Sequence, residues 1–506
     1  MPKILSTRLK IGMEIHVELA TRTKMFTRTP SPAHPDFYDT PPNTLIDPMV
    51  VALPGAMPVM NRAAVEMSMM VGLALGCEIP DRAEWDRKNY FYPDLPKGYQ
   101  ISQYEQPLCV GGSLEIDGAD GAPVQIRITR AHLEEDTGKL GHELPGGQRY
   151  EGSLVDYNRA GTPLLEIVTE PDVTCAEDAV TFGRELRSIC RCLGVSAGIM
   201  QRGHMRFEPN INVIIETDDG SAHATPIVEI KNLNSFRAVR GAIEFEHRRQ
   251  IEAWENDGRV AGPGEKTTRG WDDDRAVTVL QRAKEDAHDY RYFPEPDLVP
   301  VVVDDAWREK IRARLPELPR ARRGRYEREY GLTRVDAATL TDEPAVSEFY
   351  EQAIAATVES GHASGPAAAA AGAKLLLNAG AKRANERGCL VHDLGITATQ
   401  IADILRLRAA DEIGSSAADA LFGHLCDTDD DARTVAEREG LLQVSDTGQL
   451  DAWVEAAVEQ QPQAAEDFAA GKDAAVGRLV GAVMKLSNGQ ADAKSVQAKL
   501  RERLRG

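Results

Sequence analysis

Over the first 300 residues, apolar and polar positions alternate in short runs, at residues 10–19, 124–128, 163–168, 210–215 and 226–230. Successive side chains of a strand point to opposite faces, so this period of two spells half-buried strands. Bounded by Pro, Gly and Asn, the runs predict an α+β region built on an antiparallel sheet. Helical spacing replaces them at residues 61–76, 176–193 and 239–254, the last with charge on its exposed face, and Ser235 can cap the helix that follows it. The segment PEPDLVPVVVDD at 294–305 reads as the exit from this region, because beyond it the chain turns to Ala, Glu and Arg at helical spacing. The expected organisation is a domain over 1–300, a helical domain over 301–395 and a small all-α tail over 396–506. The Ala- and Gly-rich stretch at 364–382 reads as small-residue helix packing or a connector, with no chemistry of its own.

A chain of 506 residues with 42% hydrophobic content can build several cores. Its formal charge of -20 argues against a general nucleic-acid coat, since phosphate binding needs clustered Lys and Arg, so any RNA contact is local. Two basic clusters qualify, Arg312 to Arg328 and Lys494 to Arg505, although solvated helix faces look the same. The seven cysteines form no paired C-x-x-C, and no run is long and apolar enough for a bilayer, which points to a reduced, cytoplasmic setting with no membrane contact.

Charge falls at particular places. In IGMEIHVEL, Glu14, His16 and Glu18 project from one face of a strand, as a merely solvated face would also show. AHLEEDTGKL crowds Glu134, Glu135 and Asp136, which repel unless a cation relieves them. In PLLEIV, Glu166 sits inside an apolar strand, where an unpartnered carboxylate costs several kcal/mol. Carboxylates with one imidazole and no thiolate suit Mg²⁺ better than zinc. No G-x-x-x-x-G-K-[ST] or G-x-G-x-x-G loop is present, and His16-Val17-Glu18 lacks the P-C-x-x-C partner of the zinc deaminases. Neither a G-x-S-x-G elbow nor a recognisable cysteine nucleophile appears. Residues 85–108 interleave basic groups with tyrosines, as a polar cavity or a Pro-rich loop would.

The segments IGMEIHVEL, DRKNYFYPDLPKGYQISQ, RAHLEEDTGK, SLVDYNRAGTPLLEIVTEPD, EIKNLNSFRAVRGAIEFE and DYRYFPEPDLVPV together resemble the B subunit of the tRNA-dependent amidotransferases, in that family's order, and the tail GRLVGAVMKLSNGQA is similar to its C-terminal module. The resemblance implies a cradle-shaped α+β domain, a helical domain and a tRNA-contacting tail. It implies that the cradle uses ATP and Mg²⁺ to phosphorylate the side-chain carboxylate of Glu-tRNA(Gln) or Asp-tRNA(Asn). Ammonia from a glutaminase A subunit then displaces phosphate, and a small C subunit ties A to B. By motif, Glu14, His16, Glu134, Glu135 and Glu166 correspond to the Mg²⁺ and catalytic positions. Lys88, with Asp86 and Tyr90, corresponds to the mouth of an ammonia channel, and Arg159, Lys231 and Asn234 to substrate or ATP contacts. Two departures stand out. Family members that carry a structural zinc hold it with cysteines near KMFTRTPSPAH and DPMVVALPGAMP, stretches that contain none here, so no zinc is expected. The family's R-C-D-A-N reads Arg206-Phe207-Glu208-Pro209-Asn210. Two rival readings remain at this point, a non-catalytic tRNA scaffold and an ATP-dependent ligase for a free amino acid.

Overall fold

The structure is a computed structural model that describes residues 2–144, 147–262, 264–283, 290–361, 363–443, 447–487 and 490–505. Asp289 of DYRYFPEPD and Asn488 and Gly489 of the tail motif lie outside the described residues. The chain forms two compact units, Met1–Pro319 and Arg320–Gly506.

The first unit is organised by a ten-stranded sheet. Eight of its strands are β1 (Ile4–Glu18), β2 (Cys109–Val110), β3 (Pro123–Glu135), β4 (Pro163–Thr169), β5 (Met205–Thr217), β6 (Val228–Lys231), β7 (Thr267–Asp272) and β8 (Val277–Ala283), in the order β8-β7-β6-β5-β1-β4-β3-β2. Neighbours run antiparallel except β6 and β7, which are parallel because the long helix α3 (Phe236–Asp257) carries the chain back between them. The central strand β1 lies between β5 and β4, and alternation divides its residues cleanly. Leu9, Ile11, Met13, Ile15 and Val17 enter the core with Phe182, Leu186 and Ile189 of α2 (Ala176–Cys192) and Val239 and Ile243 of α3. Each such burial is worth about 2 kcal/mol. A one-residue slip would drive Glu14 and His16 into those helices, so the apolar set fixes which face the polar set occupies. Gly183 of α2 is small by necessity, since a Cβ there would meet Phe236 at 2.8 Å and Phe207 at 3.1 Å.

A three-stranded sheet, Asp86–Asn89 with Tyr99–Ser102 and Phe293–Pro294, a ribbon of Lys139–Glu143 with Arg149–Asp156, and a short pair, Arg82–Ala83 with Val301–Val302, complete this unit's sheets among the described residues. A short helix, Asp305–Arg312, packs on α1 (Arg62–Ala74), with Trp307 donating to Glu66 at 3.2 Å.

The second unit is helical and holds two hydrophobic clusters, one from Tyr326 to Ala436 and one from Leu450 to Leu500. The Ala-rich stretch forms the helix Gly365–Leu375, whose Ala369, Gly372 and Ala373 let it lie close to Tyr350, with the Tyr350 hydroxyl donating to Ala369 O at 2.9 Å. Much of the basic charge singled out from sequence is paired within its own unit. Arg314 reaches Glu66 in the first unit; in the second, Arg325 reaches Glu351, Arg503 reaches Glu455 and Lys499 pairs with Asp451. No helix among the described residues is long and apolar enough to cross a membrane.

Candidate active site

The polar face of the sheet gathers charge by register. His16 stands opposite Glu166 and Arg206, Glu166 stands opposite His132, and Glu14 stands opposite Glu208. One row therefore reads Arg206, His16, Glu166, His132 across four strands. His16 Nε2 lies 3.7 Å from Glu134 Oε1 and 3.6 Å from Glu166 Oε2, and His132 Nε2 lies 3.3 Å from that same Glu166 oxygen. The Ser102 hydroxyl, 3.3 Å from Glu134 Oε2, steadies the second carboxylate. Ligands on an octahedral ion with bonds of about 2.1 Å lie about 3.0 Å apart when cis and about 4.2 Å when trans. The 3.6 and 3.7 Å spacings fall between those limits, and two carboxylates with one imidazole form a hard donor set, so these residues fit Mg²⁺. Burial opposes a charge on His16, but its hydrogen bond to Glu166 and the charges of Glu166, Glu208 and Glu134 lift the imidazole to about 9. Burial likewise opposes ionisation of Glu166, and His132 and His16 hold it well below the usual carboxylate range.

The five residues expected to share one ion divide among three places. His16, Glu134 and Glu166 form one group, while Glu14 joins Glu208 and Glu229 in a second. Lys231 closes that second group, its ammonium 2.5 Å from Glu208 Oε2 and 2.9 Å from Glu229 Oε1, and Asn210 donates to Glu14 Oε1 at 2.9 Å. Glu135 turns away from Glu134 because neighbours on a strand face opposite sides. Its carboxylate accepts from Lys97 and, at 3.0 Å, from the Ile101 amide.

An open cavity of about 1390 Å³ carries Lys88, Tyr90, Arg159 and Lys231 on its walls. Burial works against the Lys88 charge, but Glu134, Tyr292 and Glu166 hold its pKa well above the usual lysine value. Its ammonium lies 5.3 Å over the Tyr290 ring, and the Tyr90 hydroxyl donates to Gln100 at 2.9 Å. Arg159 is fixed by the Thr137 and Gly138 carbonyls at 3.0 and 2.7 Å, 3.6 Å from Asp136. Burial and the Asp136 carboxylate push the neighbouring Glu18 up to about 8, while Arg159 and Arg206 overcome burial to hold Asp136 down near 2. Of the six residues expected at the channel mouth or in substrate and ATP contacts, two stand apart from this cavity's walls. Asp86 is buried and accepts from the Tyr104 amide at 2.8 Å, which fastens a loop, and Asn234 is exposed just before the α3 cap, the wall there being formed by Asn232.

Sequence pattern alone did not single out His132, Lys97, Arg206 and Glu229 as site residues. The signal for His132 was present, since it alternates with Glu134 as Glu14 does with His16. Glu229 is brought in by strand pairing, Asn210 opposite Glu229, which no local pattern records.

The two stretches where the resemblance implied a zinc in cysteine-bearing members do meet here, through Asp47, Thr27 and Thr29. These are oxygen donors without thiolate. Among the described residues, the groups of three or more His, Cys, Asp or Glu close enough to share an ion are the two on the sheet face, so this junction does not fit zinc.

The family model described as the GatB/GatE catalytic domain matches residues 9–309, and a second, the GatB domain, matches 348–504. The chain is 44% identical to the B subunit of the aspartyl/glutamyl-tRNA(Asn/Gln) amidotransferase of Thermomicrobium roseum, 42% to that of Anaeromyxobacter and 40% to that of Thermotoga maritima, each match covering 98% of both chains. With most of the first unit inside the catalytic-domain match and both chains aligned nearly end to end, the chain belongs to the GatB family of amidotransferase B subunits.

Proposed function

We propose that this chain catalyses the ATP-dependent amidation of mischarged Glu-tRNA(Gln), Asp-tRNA(Asn) or both. The side-chain carboxylate of the aminoacyl group attacks the γ-phosphorus of ATP, ADP leaves, and ammonia then displaces phosphate from the acyl phosphate to give the amide. The observation that carries this reading is the convergence of His16, Glu134 and Glu166 from three adjacent strands beside a cavity walled by Lys88, Arg159 and Lys231.

His16, Glu134 and Glu166 would hold Mg²⁺, which would supply charge neutralisation for the transferring phosphoryl group. The chain's own residues do the rest. Arg159, locked on two carbonyls, offers its remaining guanidinium hydrogens to phosphate oxygens, and Lys88 adds positive charge where negative charge develops. Tyr90, Tyr290 and Tyr292, packed edge to face, keep water from the acyl phosphate near Lys88, where we place the ammonia entrance. Glu208 and Glu229 hold Lys231 at the cavity wall, and Glu135 holds Lys97.

In this reading the ammonia comes from a glutaminase A subunit, a small C subunit completes a heterotrimer, and the helical tail contacts the tRNA in the cytoplasm. Seven free cysteines accord with that compartment. The test is co-expression with candidate A and C subunits followed by amidation assays on both mischarged tRNAs, with glutamine or ammonium chloride as nitrogen source. Amide formed only with ATP and aminoacylated tRNA supports the reading. Amidation of the free amino acid, or no tRNA-dependent ATP hydrolysis, sinks it.

A further inference from the structure

Between β1 and α1 the chain doubles back on itself. The Lys24 amide donates to Thr29 O at 2.9 Å, and the Val59 and Asn61 amides donate to Phe26 O and Met25 O at 2.8 Å, so residues 24–31 form a tight loop whose outer limb is residues 47–61. Asp47 sits at the junction of loop and limb. One of its oxygens accepts from the Thr27 hydroxyl, itself 3.4 Å from that of Thr29, and the other accepts the Val50 amide at 2.8 Å. Burial works against the Asp47 charge, yet these donors hold the carboxyl below the usual range. A carboxylate that accepts several hydrogen bonds ties the loop to the limb without thiolates.

The junction braces the active cavity. The Thr44 and Leu45 amides donate to Asn158 Oδ1 at 2.9 and 2.8 Å, and the Met25 amide donates to Gly161 O at 2.8 Å. Between those anchors lies Arg159. The Asp47 junction thus joins the two limbs that hold Asn158 and Gly161, on either side of the guanidinium that faces the cavity.

We propose that Asp47, Thr27 and Thr29 form a metal-independent clasp between the 24–31 loop and the 47–61 limb, where the resemblance implied a zinc, and that it positions the Arg159 loop. Asp47 is a positioning residue here, since its carboxylate touches neither the cavity nor the ion ligands.

The test uses the full-length chain purified from zinc-supplemented culture. Metal analysis should find zinc far below one atom per chain, and a zinc-selective chelator, with magnesium in excess, should leave the melting temperature unchanged. Asp47→Ala should lower melting by roughly 5 °C and Thr27→Val by less, with Asp47→Asn between them. In the tRNA amidation assay, Asp47→Asn should raise the KM for ATP more than it lowers kcat, a split that simple loss of folded protein does not produce. Zinc near one atom per chain whose removal lowers melting would overturn the proposal. So would unchanged melting in both Asp47→Asn and Thr27→Val. If Asp47→Ala does not fold, the wild-type metal analysis and Thr27→Val decide the matter, and neither depends on the chain being active.

Discussion

Two clusters of carboxylates share one face of the sheet and differ in what neutralises them. In the first, Glu134 and Glu166 meet two imidazoles, His16 and His132. In the second, Glu14 gathers with Glu208 and Glu229, and the latter two pair with the ammonium of Lys231. An imidazole can surrender its proton and become a ligand, whereas a lysine whose pKa is raised further by Glu208 and Glu229, against the pull of burial, stays a cation. The same surface thus offers an exchangeable site beside a permanently filled one. In the function proposed above, the first cluster is the one that takes the divalent ion, and the second supplies a fixed positive charge at the cavity wall.

The sharpest way to break this comparison is at the carboxylates. Glu134→Gln and Glu166→Gln should each lower amidation by roughly 10³-fold with ammonium chloride as nitrogen source, because each removes a charged ion ligand. Glu135→Gln, which loosens Lys97, should cost only about tenfold. Equal losses in all three variants would return Glu135 to the ion and dissolve the division between the faces. Next in size is the permanent cation. Lys231→Met leaves three carboxylates facing one another, and should destabilise the first unit by about 2 kcal/mol after allowing for a side chain that remains partly open to solvent. Added Mg²⁺ should recover part of that loss in urea unfolding, since the emptied trio then resembles an ion site. A variant as stable as the parent would show that Lys231 is incidental.

Local pattern made one half of this arrangement legible. Alternation along β1 placed Glu14, His16 and Glu18 together, and the apolar neighbours of Glu166 marked it as a carboxylate needing a partner. The limit of pattern is the pairing between distant strands. Glu134 and Glu135 look equivalent in sequence, and only the strand's alternation, applied to its end, sends one to His16 and Glu166 and the other to Lys97. Glu229 enters through the β5 and β6 register, and Asp47 meets Thr27 because an irregular loop folds back, so neither leaves a periodic trace. Helices were easier, since 62–74, 176–192 and 236–257 each bury a stripe that repeats every three or four residues.

A fully buried lysine measures the smallest effect. Lys24 is fully buried, and its ammonium donates to Ala160 O at 2.6 Å, with Asp47 and Glu135 only near enough to act through charge. Burial therefore wins and draws its pKa from 10.5 down to about 7, the opposite of Lys231. Between those two values the unfolded chain holds a proton that the folded chain has released. Stability contributed by this residue thus rises with pH through the window, and below about 7 the full cost of a buried ammonium is felt. Lys24→Met removes the difference. Urea unfolding of the two proteins between pH 7 and 9.5 should show the parent gaining on the variant by about 1 kcal/mol per pH unit. Parallel curves would mean that Lys24 keeps its proton when folded, paired with Asp47 and Glu135 as Lys231 is with its own carboxylates, and the contrast between the two lysines would vanish.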